Sequence, residues 1–374
     1  MRSRTLGKGH RLTLLSVVGA IMLVCTLLVV MSGRDVAGQG AVRYVKSDGV
    51  VSGVCSSWAA ACTLDYAMRQ AVAGDELWLM AGIYTPTEGA GRTSSFTLTS
   101  GVALYGGFAG TETLRAQRNY TANQVILTGD VGVPGDDSDN AYHVVTAVNV
   151  DANTVVDGVI IRNGNATGTN SATMSGGGMY IYYGDLTVAN VTFMSNVAQY
   201  YGGGLYTRYG APTLVNLQFN GNQATQGGGA YNRSMVITMT DIVFLNNAAS
   251  SGGGFFNYDG APIVTNIRFE NNTASSGGGF YNNNGAPELI NARFENNRSS
   301  GNGGGMAGDN GFPKLTAAQF ISNSANAYGG GLYLYKDTLT LTEGMFMSNT
   351  ARSHGGAFSS SRAAFAGANI SLFG

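Results

Sequence analysis

The chain has 374 residues with 56 glycines, 6 prolines, 3 cysteines and a formal net charge of −1, and only 11% of it is charged against 44% hydrophobic. Glycine at about twice its usual share without abundant proline excludes collagen, the scarcity of charge excludes a disordered chain, and three cysteines are too few for a disulfide scaffold. An ordered, glycine-punctuated chain with room for one large or two ordinary domains remains, a composition that points to repeats.

Arg2, Arg4, Lys8, Arg11 and Arg34 give residues 1–34 five positive charges and no acid. Residues 12–31 form an uncharged apolar run of 20 residues, which as a helix would span about 30 Å, the thickness of a bilayer core. The run is long for a signal peptide, and residues 36–40 offer small residues without a clean Ala-x-Ala. Residues 1–34 therefore read equally as a cleaved signal peptide or as a signal anchor holding the protein to the membrane through residues 12–31. Either way, residues 35–374 are expected to be exported, to the cell envelope, the outer membrane or the extracellular medium. Cys25 lies inside the run and reads as a lipid-facing residue. Beyond the leader, 16 basic residues face 22 acidic ones, which argues against nucleic acid or anionic lipid as a partner. Cys55 and Cys62, seven apart, have no third or fourth metal ligand nearby and read as a disulfide in an oxidising compartment.

Residues 42–150 are irregular. Residues 42–45 read as a strand and residues 63–72 as an amphipathic helix with Thr63 as N-cap. A buried strand over residues 76–80 follows, then short strands over 96–98, 102–106, 125–127, 143–147 and 155–161. A helix at this point suits a cap, because the first rung of a solenoid must cover a bare strand edge.

From residue 151 onward a repeat takes over. Triple glycines begin at Gly176, Gly202, Gly227, Gly252, Gly277, Gly303 and Gly329, with a pair at Gly355, at intervals of 25 or 26 residues. Phe-x-x-Asn keeps the same step, from Phe193 and Asn196 through Phe219, Phe244, Phe269, Phe294 and Phe320 to Phe346 and Asn349. Each unit reads as three glycines, an aromatic, a turn often spelled Gly-Ala-Pro, an alternating strand ending in Phe, then Asn. Two or three short strands per unit of about 25 residues describe one rung of a single-stranded, right-handed parallel β-helix, an all-β solenoid. The repeated Asn is read as an inward amide ladder bonding turn backbone. Tyr180, Tyr206, Tyr231, Phe256, Tyr281 and Tyr333 form a second ladder, core if inward and an aromatic stripe suited to sugars if outward. Core is the expectation here.

The run Gly74-Asp75-Glu76-Leu77-Trp78, with Ala81-Gly82-Ile83-Tyr84 and Val102-Ala103-Leu104-Tyr105-Gly106-Gly107-Phe108, resembles the start of exported bacterial β-helix proteins of the pectate-lyase-like kind. The Gly-Gly-Gly and Phe-x-x-Asn units resemble the repeats of chlamydial polymorphic outer-membrane proteins. Together these cover roughly residues 42–374. The resemblance implies a solenoid displayed outside the cell, often in adhesin-like roles. It does not carry over the C-terminal membrane barrel of the chlamydial members, which this sequence lacks. Phe373 falls near the next Phe-x-x-Asn and the sequence stops inside a rung, so the array is expected to be truncated there.

Chemistry is sparse. His10, His143 and His354 are scattered, and neither a nucleophile triad nor a phosphate-binding loop is visible. The enzymatic alternative is a polysaccharide lyase or glycoside hydrolase. Its weak catalytic candidates are Arg268 and Glu270 stacked beside Arg293 and Glu295, with Arg298 nearby; a surface ion-pair ladder explains them more simply. Asp130, Asp136, Asp137 and Asp139, in a Gly-containing loop, are the candidate calcium ligands, against the plainer reading of a solvated acidic loop. No other cofactor is expected. The commitment is an adhesin-like display module without catalysis, with glycans or cell-surface proteins as its partners.

Overall fold

The computed structural model describes residues 40–87 and 91–373. The leader readings on residues 1–34, with Cys25 and His10, lie outside the described residues. Each regular repeat supplies three strands: in one unit Leu205–Arg208, Thr213–Asn220 and Gln223–Gln226, in the next Ala230–Arg233, Thr238–Leu245 and Ala248–Ser251. Equivalent strands pair in parallel, so that Leu205 stands opposite Ala230 and then Phe255, and Phe219 opposite Phe244 and then Phe269, with a register shift on the third face between Ala274 and Ser276. The result is a parallel β-helix of about 11 turns with three sheets as faces. The first has 10 strands, the second 18 because several of its rungs break in two, and the third 8.

The second face bends because its long strands carry one left-handed residue at the same position in each rung. Asn190, Asn216, Asp241, Asn266 and Asn291 have φ between 51° and 58°, a conformation that Asn and Asp tolerate better than other side chains. Alternation then sends Phe inward. Phe193, Phe219, Phe244, Phe269, Phe294, Phe320 and Phe346 stack with centroids 4.6–5.1 Å apart and planes within 10°. This spine runs through one core shared by all the rungs.

The repeated Asn does form the inward ladder. Asn247 is fully buried; its Oδ1 accepts from the backbone N–H and Nδ2 of Asn222 at 3.0 Å, and its Nδ2 donates to Phe219 O and Asn272 Oδ1 at 2.9 Å. The glycines turn the corner into the first face. Gly252 has φ +63°; a Cβ on Gly253 would overlap the carbonyl oxygens of Gly278 and Thr273, and one on Gly254 would sit 2.7 Å from Gly279 O.

The N-terminal elements follow the sequence with local shifts. The first strand is Val42–Val50, longer than expected. The helix is Leu64–Gln70; Thr63 holds the N-cap position, but its side chain makes no capping bond. Leu64, Ala67 and Met68 of that helix join the core at this end of the coil. The strand Glu76–Met80 falls where expected. The stretch 155–161 is two strands rather than one, broken at Gly158 with φ +78°. In the last rung Leu372, not Phe373, stands opposite Phe346, and Phe373 pairs with Met347. The repeat step there is 26 residues, and the expected Phe ladder position is taken by Leu. Among the described residues no helix is long and apolar enough to cross a membrane.

Candidate functional site

The middle of the second aromatic ladder is buried, in a small core of its own outside the main one. Leu205 belongs to the shared core and Thr207 Oγ1 bonds Asn232 Oδ1 inside the coil at 3.1 Å, so alternation turns Tyr206 between them outward. Tyr206, Tyr231 and Phe256 form a cluster of their own, 3–4% exposed. An outward ring becomes buried here because its faces are covered by the rings above and below. Tyr180–Tyr206, Tyr206–Tyr231, Tyr231–Phe256 and Phe256–Tyr281 stack at 5.3, 5.7, 5.2 and 5.0 Å. Arg208 and Arg233 lie against the stack, while burial pushes the Tyr180 and Tyr281 hydroxyls up to about 12. His143 closes the N-terminal end, 5.1 Å from Tyr180, with Nδ1–H donating to Gly176 O at 2.9 Å. Burial pulls its pKa down to about 4, so the imidazole is neutral at ordinary pH.

The bend of the second face makes the other surface feature, a groove of about 440 Å³ running along the coil axis. Tyr120 and Gln124 wall one end, Thr192, Gln218 and Val243 line it rung by rung, and Arg268 lies at the other end. Along its edge the left-handed residues link side chain to side chain. Asn216 Nδ2 donates to Asn190 Oδ1 at 2.7 Å, Asn266 Nδ2 to Asp241 Oδ1 and Asn291 Nδ2 to Asn266 Oδ1 at 2.8 Å. Of this row Asn190 and Asn216 line the groove, and with Gln124, Thr192 and Gln218 they give it uncharged donors and acceptors in successive rungs.

The Arg and Glu candidates lie in adjacent rungs, Arg268 opposite Arg293 and Glu270 opposite Glu295. Each rung closes its own ion pair, Arg268–Glu270 at 2.7 Å and Arg293–Glu295 at 2.9 Å, and Arg293 also donates to Gln319 at 2.9 Å. Arg298 begins the neighbouring third-face strand. No free carboxylate stands beside a free guanidinium in this cluster.

The acidic loop does not gather its oxygens. Asp130 accepts from Gly135 N at 3.0 Å, Asp136 from Ser138 N at 2.9 Å, Asp137 from Asn140 Nδ2 at 3.1 Å and Asp139 from Val133 N at 2.7 Å. The Ser138 bonds hold the Asp136 carboxyl below its usual range. Cys55 and Cys62 are joined by a disulfide.

One polar device escaped the sequence reading. Asn232, Asn257 and Asn282 make a second buried amide ladder behind the first face, with Nδ2–Oδ1 bonds of 2.8 Å. Its signal was a strict 25-residue step ahead of the turns, over only three units. In the next rung the Asn is replaced by Gly308, and the Asp337 carboxylate fills that space. Its Oδ1 accepts from Gly311 N at 2.9 Å and its Oδ2 from Tyr335 N at 3.1 Å. Burial, aided by Asp309, pushes the Asp337 carboxyl up to about 7.

No protein family matches the sequence, and no curated protein does. Solved structures resemble it in shape. Pectate lyase Pel9A is 15% identical, with 89% of this chain and 79% of that one covered and a TM-score of 0.44. The mannuronan C-5 epimerase AlgE4 A-module of Azotobacter vinelandii is 12% identical over 88% and 97%, TM-score 0.33. PfbA, a surface adhesin of Streptococcus pneumoniae, is 10% identical over 88% and 93%, TM-score 0.35. At these scores the likeness ends at the coiled outline, and the fold rests on this chain's own strand register.

Proposed function

We propose that the protein is an exported binding module of the cell surface that holds an extended, uncharged glycan without turning it over. The observation that carries this reading is the groove of the bent face, lined in successive rungs by Asn190 and Thr192 and by Asn216 and Gln218. A linear polysaccharide presents hydroxyls at a regular step, and a stacked array of Asn and Gln side chains can meet several of them without a deep pocket. The basic, apolar leader and the Cys55–Cys62 disulfide support delivery outside the cytoplasm. The likeness of the repeats to chlamydial polymorphic outer-membrane proteins supports display on the cell envelope, with residues 12–31 as signal or anchor.

A lyase or hydrolase is the second reading, favoured by Arg268 at the groove's end beside two stacked carboxylates. One assay separates the two. The purified protein is incubated with neutral and acidic polysaccharides, with and without calcium, and both retention on the immobilised polymer and release of unsaturated or reducing ends are followed. Retention without product, weakened by Gln218→Ala, is expected. Product formation abolished by Arg293→Ala would replace the binding reading with the enzymatic one.

A further inference from the structure

Two stacked arginine pairs on this coil differ in how their charge is met. On the second face Arg268 stands opposite Arg293, and each closes an ion pair with a glutamate of its own strand. On the first face Arg208 stands opposite Arg233. Among the described residues neither of these forms an ion pair, and Asp185 and Asp259 of the adjoining turns pair with neither. Tyrosine hydroxyls are their neighbours instead. Arg208 Nη2 donates to Tyr209 Oη at 2.7 Å, and the Tyr206 hydroxyl lies within hydrogen-bond reach of both guanidiniums. Burial raises the Tyr206 pKa and the two arginines offset only part of that, so the phenol brings no negative charge. Two positive charges on strands about 4.8 Å apart are left to repel each other, on a chain that is acidic beyond its leader.

The surrounding rings hold the guanidiniums in place. Along the same column Tyr182 precedes Arg208, and Tyr258 follows Arg233. Arg208 sits over the Tyr209 ring at 4.6 Å and Arg233 over the Tyr258 ring at 5.6 Å. Such contacts position a guanidinium without neutralising it. The turn beside the pair is unusual as well. In neighbouring rungs its left-handed residue is short and polar, as at Asn149, Ser234, Asp259 and Asn284, but Tyr183 and Tyr209 stand there at φ +54° and +59°. A bulky side chain is strained in that conformation. Tyr209 stacks on Tyr183 at 4.6 Å, and Tyr183 is 51% exposed. Strain is thus accepted beside the unpaired arginines, and it sets out a ring that the core does not use.

Both features match one kind of guest. Two planar forks in adjacent rungs can share a carboxylate or a sulfate ester through paired N–H donors. An exposed tyrosine one rung away offers the C–H face of a sugar an apolar, electron-rich surface. We infer that Arg208 and Arg233 form a binding site for an acidic glycan, in which the carboxylate or sulfate of one sugar bridges the guanidiniums and a neighbouring sugar lies against Tyr183. The site is on a different face from the groove, takes a charged rather than a neutral sugar, and stands or falls independently of it.

The test is titration calorimetry on the full chain with three probes. Hexagalacturonate carries carboxylates, a κ-carrageenan hexasaccharide carries sulfate esters, and cellohexaose is neutral. The wild type is compared with Arg208→Gln, Arg233→Gln, Tyr183→Asn and the groove variant Gln218→Ala, and each variant is melted without ligand. The wild type is expected to bind at least one acidic oligosaccharide, the tighter of the two telling carboxylate from sulfate ester. Each arginine variant should weaken that binding about 10-fold or more, and Arg233→Gln should melt no lower than the wild type because it relieves a repulsion. Tyr183→Asn should weaken binding by a smaller factor and also melt no lower, since Asn suits the left-handed position. Gln218→Ala should leave acidic binding unchanged. Acidic binding that survives in both arginine variants, or is lost only in Gln218→Ala, would overturn the site, as would a wild type that binds neither acidic oligosaccharide. Arginine variants that melt lower yet bind as tightly would show that the pair serves packing alone and would overturn it too. Loss of cellohexaose binding in Gln218→Ala is read separately and bears only on the groove.

Discussion

Asp337 shows how one residue can depart from a ladder and still complete it. Asn232 donates to Asn257 and Asn257 to Asn282, Asn282 donates to Gly285 O, and in the next rung Gly308 supplies no side chain to continue the row. A carboxylate from the following rung fills the space, 1% exposed, at the cost of desolvating a charge. Its folded pKa, about 7, lies above the ordinary carboxyl value of 3.8. A raised acid binds its proton more tightly when folded, so its contribution is most favourable below about pH 4, declines as pH rises toward 7 and is flat above that. Asp337→Asn removes the charge together with one of the two acceptors. Its stability relative to the wild type is therefore expected to be lowest near pH 4 and to rise with pH by about 1–3 kcal/mol up to pH 8. A pH-independent difference would show that the carboxyl titrates normally. Sequence reading could not find this residue, because the ladder is broken at Gly308 and repaired by a side chain 29 positions on. The Phe-x-x-Asn ladder was legible because it never breaks.

At the scale of the element, two glycine positions differ in what they require. In the triple-glycine corner the limit is space: Gly253 has no room for a Cβ between the carbonyls of Gly278 and Thr273. Gly221, at positive φ, sits instead in a row that other rungs fill with Ser195, Asn246, Asn271, Asn296, Ser322 and Ser348 in the same conformation, and a Cβ there would meet only Ser195 Oγ, at 3.9 Å. Gly253→Ala must push two rungs apart and should cost about 2–4 kcal/mol. Gly221→Asn should be neutral or stabilising by about 0.5 kcal/mol, through the less flexible unfolded chain. Chemical denaturation of both variants checks this; equal effects would mean that the corner relaxes freely. The triplets themselves were plain in the sequence. Which face the following aromatic takes was not, because period-two alternation gives two sides without saying which is inside. Tyr206 went outward because Leu205 and Thr207 on either side of it were claimed by the core and the inner ladder. The bent-face groove was hidden for a related reason, since it exists only where residues of successive rungs, such as Asn190 and Asn216 or Thr192 and Gln218, align.

Within the described coil each rung touches only its neighbours, and stability is a sum of rung and interface terms. That made the fold readable from periodicity. It also predicts that stability is unequal along the axis. Central strands such as Ile263–Glu270 pair on both sides and rest on the Phe spine, with Phe269 fully buried. The final strands, Ala364–Ala368 and Ser371–Phe373, pair on one side only, and Phe365, Leu372 and Phe373 are 47%, 66% and 55% exposed. At the opposite end Leu64, Ala67 and Met68 of the helix Leu64–Gln70 pack into the core. Amide exchange followed by mass spectrometry should therefore be slowest in the rungs spanning residues 213–295 and faster by at least 100-fold in residues 357–373, with fraying that advances from that end as denaturant is added. Uniform protection from residue 42 to residue 373, lost in a single step, would instead show that the interfaces between rungs so outweigh the rungs themselves that the coil behaves as one cooperative unit.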